Sequence, residues 1–435
     1  MNREFYARNR QELMSKMGED SVAVFFTAPE ATYSHDVHYT YRQDSNFHYL
    51  TGFPEPGAVA VLAPGHETPF TLFVRPRDLE KEIWNGFRAG TEGAQSTYGA
   101  DAAFNLEELS DRLPTYLADR KHLYFKFGAS DKVDAEVFAA LNAVRGQIRN
   151  GVKAPQHLHD PGLYLNEMRL FKKPYEIDMM RKASKISAEA HMELMKALKP
   201  GMYEYQMESV LMSYFRERNA RMGYPAIVGG GVNATILHYI ENQARLEDGD
   251  LLLVDAGAEY AHYNADITRT SPVNGRFNPT QRAVYEVVLA AQEQAVAMAK
   301  PGVGFDEIHA KSTGVITEGL VDLGLLKGSV EDLIEKKAYQ KFYMHKTGHW
   351  IGADVHDMGD YLNDDGKFRK LEAGMVMTVE PGIYVGPHLK SEVPEAFHNM
   401  GIRIEDDILI TENGHENLTE DVPKAIAEIE ALMAS

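Results

Sequence analysis

The chain has 435 residues, and single hydrophobic cores stop growing at roughly 250–300 residues, so two or three domains are expected. Hydrophobic residues at 44% and charged residues at 25% exclude wholesale disorder. Lys plus Arg is 45 and Asp plus Glu is 64, so the net charge is 45 − 64 = −19, a field that disfavours nucleic acid and anionic membranes and suits metal cations.

There is no cysteine, which excludes disulfides, thiolate metal sites and cysteine nucleophiles and fits a reducing compartment. Met1–Gly18 lacks the apolar centre of a signal peptide, and Glu4 and Glu12 argue against a transit peptide. The longest apolar stretches, such as Ala58–Ala63 and Leu251–Val254, fall far short of the about 20 residues a membrane span needs. A soluble, cytoplasmic protein is expected.

In chain order, Asn2–Met17 reads as a helix, Val22–Phe26, Ala58–Leu62 and Phe70–Val74 as short buried strands, and Val133–Ala143 as a helix. Strands alternating with helices predict an α/β layer with a mixed sheet. Pro155, Pro161, Gly162 and Lys172-Lys173-Pro174 mark a boundary, so the domains are set at 1–170 and 171–435. Pro174 suits the first position of a helix that runs to about Leu198, with Ile177, Met180, Ala183 and Ile186 on one face. Further helices are predicted from Tyr203, over Pro279–Lys300 and over Phe305–Leu323, mixed with strands and hairpins in an α+β pattern.

Several chemistries can be struck off. No Gly-x-Gly-x-x-Gly follows a strand, Gly229-Gly230-Gly231 lacks the lysine and serine of a phosphate loop, and there is no Gly-x-Ser-x-Gly elbow. His66-Glu67 and His415-Glu416 do not continue to a second histidine, so the zinc-protease helix motif is missing.

The informative region is Leu251–Glu405. Leu251–Val254 is an apolar strand closed by Asp255, and Asp266 follows after a segment able to form a hairpin, which predicts the two aspartates on adjacent strands. A buried acid is costly unless it is paired or bound to metal. His345, His349 and His356 fall in a stretch broken by Gly348 and Gly352, which predicts a loop with close backbone packing. Met375–Val379 is an apolar strand ending in Glu380 before a Pro381-Gly382 turn. In Gly401–Asp407, alternation places Ile402 and Ile404 on one face and Arg403 and Glu405 on the other; taken alone, that second face reads as solvated. Together, Asp255, Asp266, Glu380 and Glu405 with His349 make an oxygen-rich set that two divalent cations such as Mn²⁺ would neutralise. Such a pair can activate water and polarise a carbonyl, which is metal-assisted hydrolysis.

These segments resemble the pita-bread metallopeptidases, peptidase family M24, and within them the Xaa-Pro aminopeptidase (aminopeptidase P) group. The matching stretches are VDAGAEYAHYNADITRT, TGHWIGADVHD, MTVEPGIY and GIRIEDD, with ILHYIEN around His238; YTYRQDSNFHYLTGFPEP and RPRDLEKEIWNG are similar to the amino-terminal domain of that group. The resemblance implies a pita-bread catalytic domain preceded by an α/β domain. It implies that Asp255 and Asp266 bind one metal, His349 and Glu380 the other, that Asp266 and Glu405 bridge both, and that Glu380 is the general base. It implies substrate contacts and proton transfer for His238 and His356, orientation of the site by Tyr384 and Arg403, and a role for Trp84 at a neighbouring subunit's site in a homo-oligomer, dimer or tetramer. One departure is that Asp365 stands where the family often has an arginine, with Lys367 or Arg369 as substitutes. The expected activity is removal of the first residue from peptides with proline second. The alternative is an Xaa-Pro dipeptidase (prolidase), and a non-catalytic binding module is disfavoured because all five ligand-type residues are present.

Overall fold

A computed structural model describes residues 2–435. They fall into two compact units, one ending at Glu167 and the other beginning at Met168.

In the first unit, helix α1 (Arg3–Met17) is capped by the Asn2 side chain. The strands β1 (Ser21–Phe26), β2 (Val59–Leu62), β3 (Phe70–Val74), β4 (Ala102–Asn105), β5 (His122–Tyr124) and β6 (His157–His159) form one sheet in the order β4-β3-β2-β1-β5-β6. The β1–β2 and β2–β3 pairs are antiparallel and the rest parallel, so the sheet is mixed, as the alternation of strands and helices predicts. β2 and β3 are buried along their whole length. Short, mostly apolar runs of this kind, with Thr71 the one polar residue, suit strands covered on both faces. Helix α2 (Leu79–Asn85) lies between β3 and β4, and helices α3 (Leu109–Leu117) and α4 (Asp131–Arg145) pack on the sheet through Leu113, Leu117, Val137 and Val144.

The second unit opens with two helices, α5 (Pro174–Ala197) and α6 (Glu204–Glu217), followed by the antiparallel strands β7 (Ile227–Gly230) and β8 (Leu251–Asp255), a hairpin of β9 (Ala258–Tyr260) and β10 (Tyr263–Asn264), and β11 (Thr268–Pro272). The order then repeats. Helices α7 (Pro279–Met298) and α8 (Phe305–Asp322) precede β12 (Val376–Val379), β13 (Gly382–Val385), β14 (Met400–Arg403), β15 (Asp406–Thr411) and β16 (Gly414–Asn417). Helix α9 (Ile426–Met433) closes the chain. Pro174 and Pro279 begin their helices, and Asn278 exchanges hydrogen bonds with Gln281 in a capping box. Each helix pair packs on its own strands: α5 and α6 through Leu194, Leu211 and Phe215 against Val228 and Leu252, and α7 and α8 through Val288 and Leu320 against Ile383 and Ile402. The result is α+β.

Two strand expectations change in detail. Asp266 is not on a strand adjacent to β8; it lies two residues before β11, whose Thr268 pairs with Asp255. The stretch 401–407 is not one strand either. It breaks at Ile404–Glu405, where the backbone N–H of Glu405 donates to Thr268 O over 3.0 Å and that of Ile404 donates to Pro381 O over 3.3 Å, carrying the chain from one sheet to another. Arg403 and Glu405, which read as a solvated face, are buried.

Candidate metal centre

The acidic side chains all come from places where a strand ends or the chain changes sheets. Asp255 ends β8, Asp266 precedes β11, Glu380 sits between β12 and β13, and Glu405 sits between β14 and β15. At such breaks the backbone leaves the ladder, so adjacent side chains can converge instead of alternating. Gly348 has no room for a side chain, since a Cβ there would lie 2.0 Å from Thr378 O; the histidine loop is laid directly on β12. The Thr347 carbonyl accepts from Glu380 N at 2.7 Å, and His349 O accepts from Thr378 N at 2.9 Å, which sets His349 beside Glu380.

The ligand atoms of Asp266, His349 and Glu405 all lie within 4.8 Å of one another. His349 Nε2 is 3.5 Å from Asp266 Oδ2 and 3.8 Å from Glu380 Oε1. Its Nδ1 lies 3.0 Å from the Trp350 carbonyl, so Nδ1–H donates there and Nε2 is turned to the carboxylates. Arg403 Nη2 donates to Asp255 Oδ2 over 2.5 Å, its Nη1 to Tyr384 Oη over 3.0 Å and its Nε to Thr268 Oγ1 over 3.1 Å. Thr268 in turn donates to Glu405 Oε2 over 2.6 Å.

All of this faces a cavity of about 760 Å³, lined by Asp255, Asp266, His349, Glu380 and Glu405 together with His238, His356 and Arg403. The structure thus brings these sequence-predicted residues together. Tyr384 stands behind Arg403 and also meets His345 Nε2 at 2.8 Å. Trp84 belongs to the other unit, where it is 80% exposed on α2. In the stretch that departs from the family pattern, Asp365 and Lys367 pair with each other on the surface at 3.0 Å, while Phe368 lines the cavity.

The charges are out of balance. Burial, reinforced by Asp255, raises the Asp266 carboxyl; burial, with Asp266 and Glu380, pushes Glu405 well above the usual carboxylate range. Glu380 is pushed up to about 7 by burial, against the pull of His349 and Arg403. Burial lowers the His349 imidazole, but Asp266 and Glu380 outweigh it and raise the value to about 9. A dry cluster of carboxylates that press one another toward protonation is a donor set that divalent cations satisfy. The residues therefore fit a pair of metal ions.

Several further residues at this site were not singled out in the sequence. The Tyr224 hydroxyl lies between Oδ1 of Asp255, at 2.7 Å, and Oδ1 of Asp266. Thr347 is held by the Tyr343 hydroxyl at 2.5 Å and by His309 Nδ1 at 2.8 Å. Asp407 Oδ2 accepts from Asp266 N over 3.0 Å. Thr347 and Asp407 fall inside the quoted stretches TGHWIGADVHD and GIRIEDD, whereas Tyr224 and His309 lie in stretches with no distinguishing composition.

Fold and cavity together define a metallopeptidase. The profile of metallopeptidase family M24 matches residues 178–412, and that of the aminopeptidase P amino-terminal domain matches residues 6–124. The chain belongs to metallopeptidase family M24. It is 44% identical to the Xaa-Pro aminopeptidase of Escherichia coli K12, over 100% of this chain and 98% of that one. Its structure superposes on that of a Pseudomonas aeruginosa aminopeptidase with a TM-score of 0.98 and 46% identity, covering 100% and 98% of the two chains. It matches E. coli aminopeptidase P, solved as a glutamate-to-alanine variant with substrate and in a zinc-substituted form with product, at a TM-score of 0.96 and 44% identity, covering 100% and 98%.

Proposed function

We propose that this chain is a dimetal Xaa-Pro aminopeptidase, removing the amino-terminal residue from peptides with proline at the second position. The observation that carries the reading is the convergence of Asp266, His349 and Glu405, within 4.8 Å, on one cavity of a chain whose full-length relatives bear that activity in their names. In this reading Asp255 and Asp266 would hold one metal, His349 and Glu380 would hold the other, and Glu405 would complete the set. Mn²⁺ is the assigned ion, because four carboxylates and one imidazole make a hard, oxygen-rich set. When bound, the metal pair supplies Lewis acidity toward the scissile carbonyl and lowers the pKa of water.

The chain's own residues do the rest. Glu380 takes the proton of the attacking water as general base. His238 and His356 face the reacting carbonyl, and one of them delivers a proton to the departing proline nitrogen, which as a tertiary amide has no N–H of its own. Burial, with His349 and His238 nearby, lowers the His356 imidazole, so it rests neutral and can pass on to the proline nitrogen the proton that Glu380 takes from the water. Arg403 holds Asp255 and Tyr384 in position.

Residues 1–170 form the amino-terminal domain of this enzyme and residues 171–435 its catalytic domain. A homo-oligomer, dimer or tetramer, is supported by the exposed apolar side chains Leu79, Ile83, Trp84 and Phe87 on and beside α2. In that assembly Trp84 reaches the partner's substrate. Among the described residues no helix is long and apolar enough to cross a membrane; a cytoplasmic location is supported by the absence of cysteine. The test is to measure bound metal and peptidase activity in Asp266→Ala and Glu405→Ala. Both are expected to lose metal and activity together, and retained activity in either contradicts the assignment.

A further inference from the structure

We infer that the amino-terminal unit carries a metal site of a different chemistry, a surface site for a borderline transition-metal ion such as Zn²⁺, built from His122, His157 and His159. The strands β5 and β6 are parallel neighbours at one edge of the mixed sheet, with His122 opposite His157 and Tyr124 opposite His159. Residues two apart on a strand share a face, so His157 and His159 project on the same side, and the paired His122 joins them there.

The contacts are close. His122 Nδ1 and His159 Nε2 are 2.9 Å apart. The His157 ring stacks on His122, with centroids 4.9 Å apart and planes at 22°. His157 is exposed, and the other two are half-buried. The His159 ring also stacks on Tyr124, with centroids 4.7 Å apart and planes at 21°. Burial, and then the neighbouring His122 and His157, lower the His159 imidazole.

A tetrahedral Zn²⁺ with Zn–N bonds of about 2.0–2.1 Å sets its ligand nitrogens about 3.3–3.4 Å apart. The His122–His159 pair, at 2.9 Å, has to open by about 0.5 Å, and both rings have to turn so that their lone pairs converge on an ion beside the N···N line. His157 is the third ligand. It reaches the ion by rotating off the His122 ring, a motion open to an exposed side chain, and water completes the shell. Three imidazole nitrogens favour Zn²⁺, Cu²⁺ or Ni²⁺ over Mn²⁺, whereas the carboxylate-rich cavity of the other unit suits hard ions. Two sites on one chain would thus sort metals by donor type, and an ion on His122 and His157 would tie the edge strand to its neighbour.

The experiment is equilibrium dialysis of the full-length protein against Zn²⁺, with metal per chain counted for the wild type, His157→Ala and His159→Ala, and for His35→Ala as an exposed-histidine control. Each triad variant is expected to hold one Zn²⁺ fewer than the wild type, the control to match the wild type, and dialysis against Mn²⁺ to show no difference among the four. Equal Zn²⁺ content in the wild type and the triad variants overturns the site, and a loss in only one of the two overturns the three-ligand assignment. The count is a difference between variants, so it reads the same whether or not the carboxylate cavity holds a metal pair. His157 lies on the surface, so His157→Ala decides the matter even if His159→Ala folds poorly; the melting temperature without zinc reports which case holds.

Discussion

The Tyr224 hydroxyl donates to Oδ1 of Asp255 over 2.7 Å. The same hydroxyl also reaches Oδ1 of Asp266 as a donor. One hydroxyl proton serves one carboxylate at a time, so the pair of aspartates has room for cations as well as for the tyrosine. Burial, with the charges of Asp255 and Asp266, raises the phenol well above its ordinary value and keeps it a donor. Tyr224→Phe should fold normally and bind metal about 10–100-fold more weakly, as when other groups that orient ligands are removed. Competitive titration with a chelator measures this, and an unchanged affinity would show that the tyrosine does not orient the aspartates.

Arg403 is the node of the site, because its three donor nitrogens reach Asp255, Tyr384 and, through Thr268, Glu405. A lysine cannot reproduce that planar fork. Arg403→Lys should lower kcat by about 10–100-fold, with a smaller change in KM. Steady-state kinetics at saturating metal distinguishes this from simple metal loss, and wild-type kcat in the variant counts against the positioning role.

Asp357 anchors the loop that carries His356. Its carboxylate is buried against Lys172 Nζ at 3.0 Å and against Arg169. Burial raises this carboxyl, but Arg169 and Lys172 outweigh it and hold it low. Asp357→Asn removes the carboxylate that Lys172 and Arg169 share, although Arg169 keeps Asp354 at 2.7 Å, so a loss of about 3 kcal/mol, the lower end for a broken buried pair, is expected in denaturant unfolding. A loss below about 1 kcal/mol, the range of exposed pairs, would mean the network is solvated.

Glu176 gives a pH signature. It caps α5 by accepting from Lys173 N at 3.0 Å and also accepts from Tyr263 Oη at 3.1 Å. Burial raises its carboxyl from 4.5 to about 7. A carboxyl raised on folding binds its proton more tightly in the folded state. Its contribution is therefore complete below the unfolded value and is lost as pH rises through about 7. Glu176→Gln should match the wild type at about pH 4 and be more stable at about pH 8, by up to about 3 kcal/mol. Thermal melts at both pH values check this; equal stabilities at pH 8 contradict it.

Much of the candidate site could be read from residue order, because the acids sit at the ends of apolar runs. Asp255 closing Leu251–Val254 and Glu380 closing Met375–Val379 are local patterns, and the structure keeps both runs as strands. The positions of Asp266 and Glu405 were not local. The break at Glu405 depends on its hydrogen bond to Thr268, far away in the chain, and alternation alone made 401–407 one strand with a wet face. Tyr224 sits on an irregular segment with no periodicity, and only folding brings it to Asp255. The repeat of helix pair and antiparallel strands is likewise a matter of element order; no recurring residues mark it.

The central claim is tested most directly by an amine-release assay run on an Xaa-Pro-Xaa tripeptide and an Xaa-Pro dipeptide in parallel, each with added Mn²⁺ and with chelator. Fast cleavage of the tripeptide that stops with chelator, with the dipeptide slow, is the expected result. Fast cleavage of the dipeptide alone, or cleavage of neither by protein shown to carry metal, would contradict it.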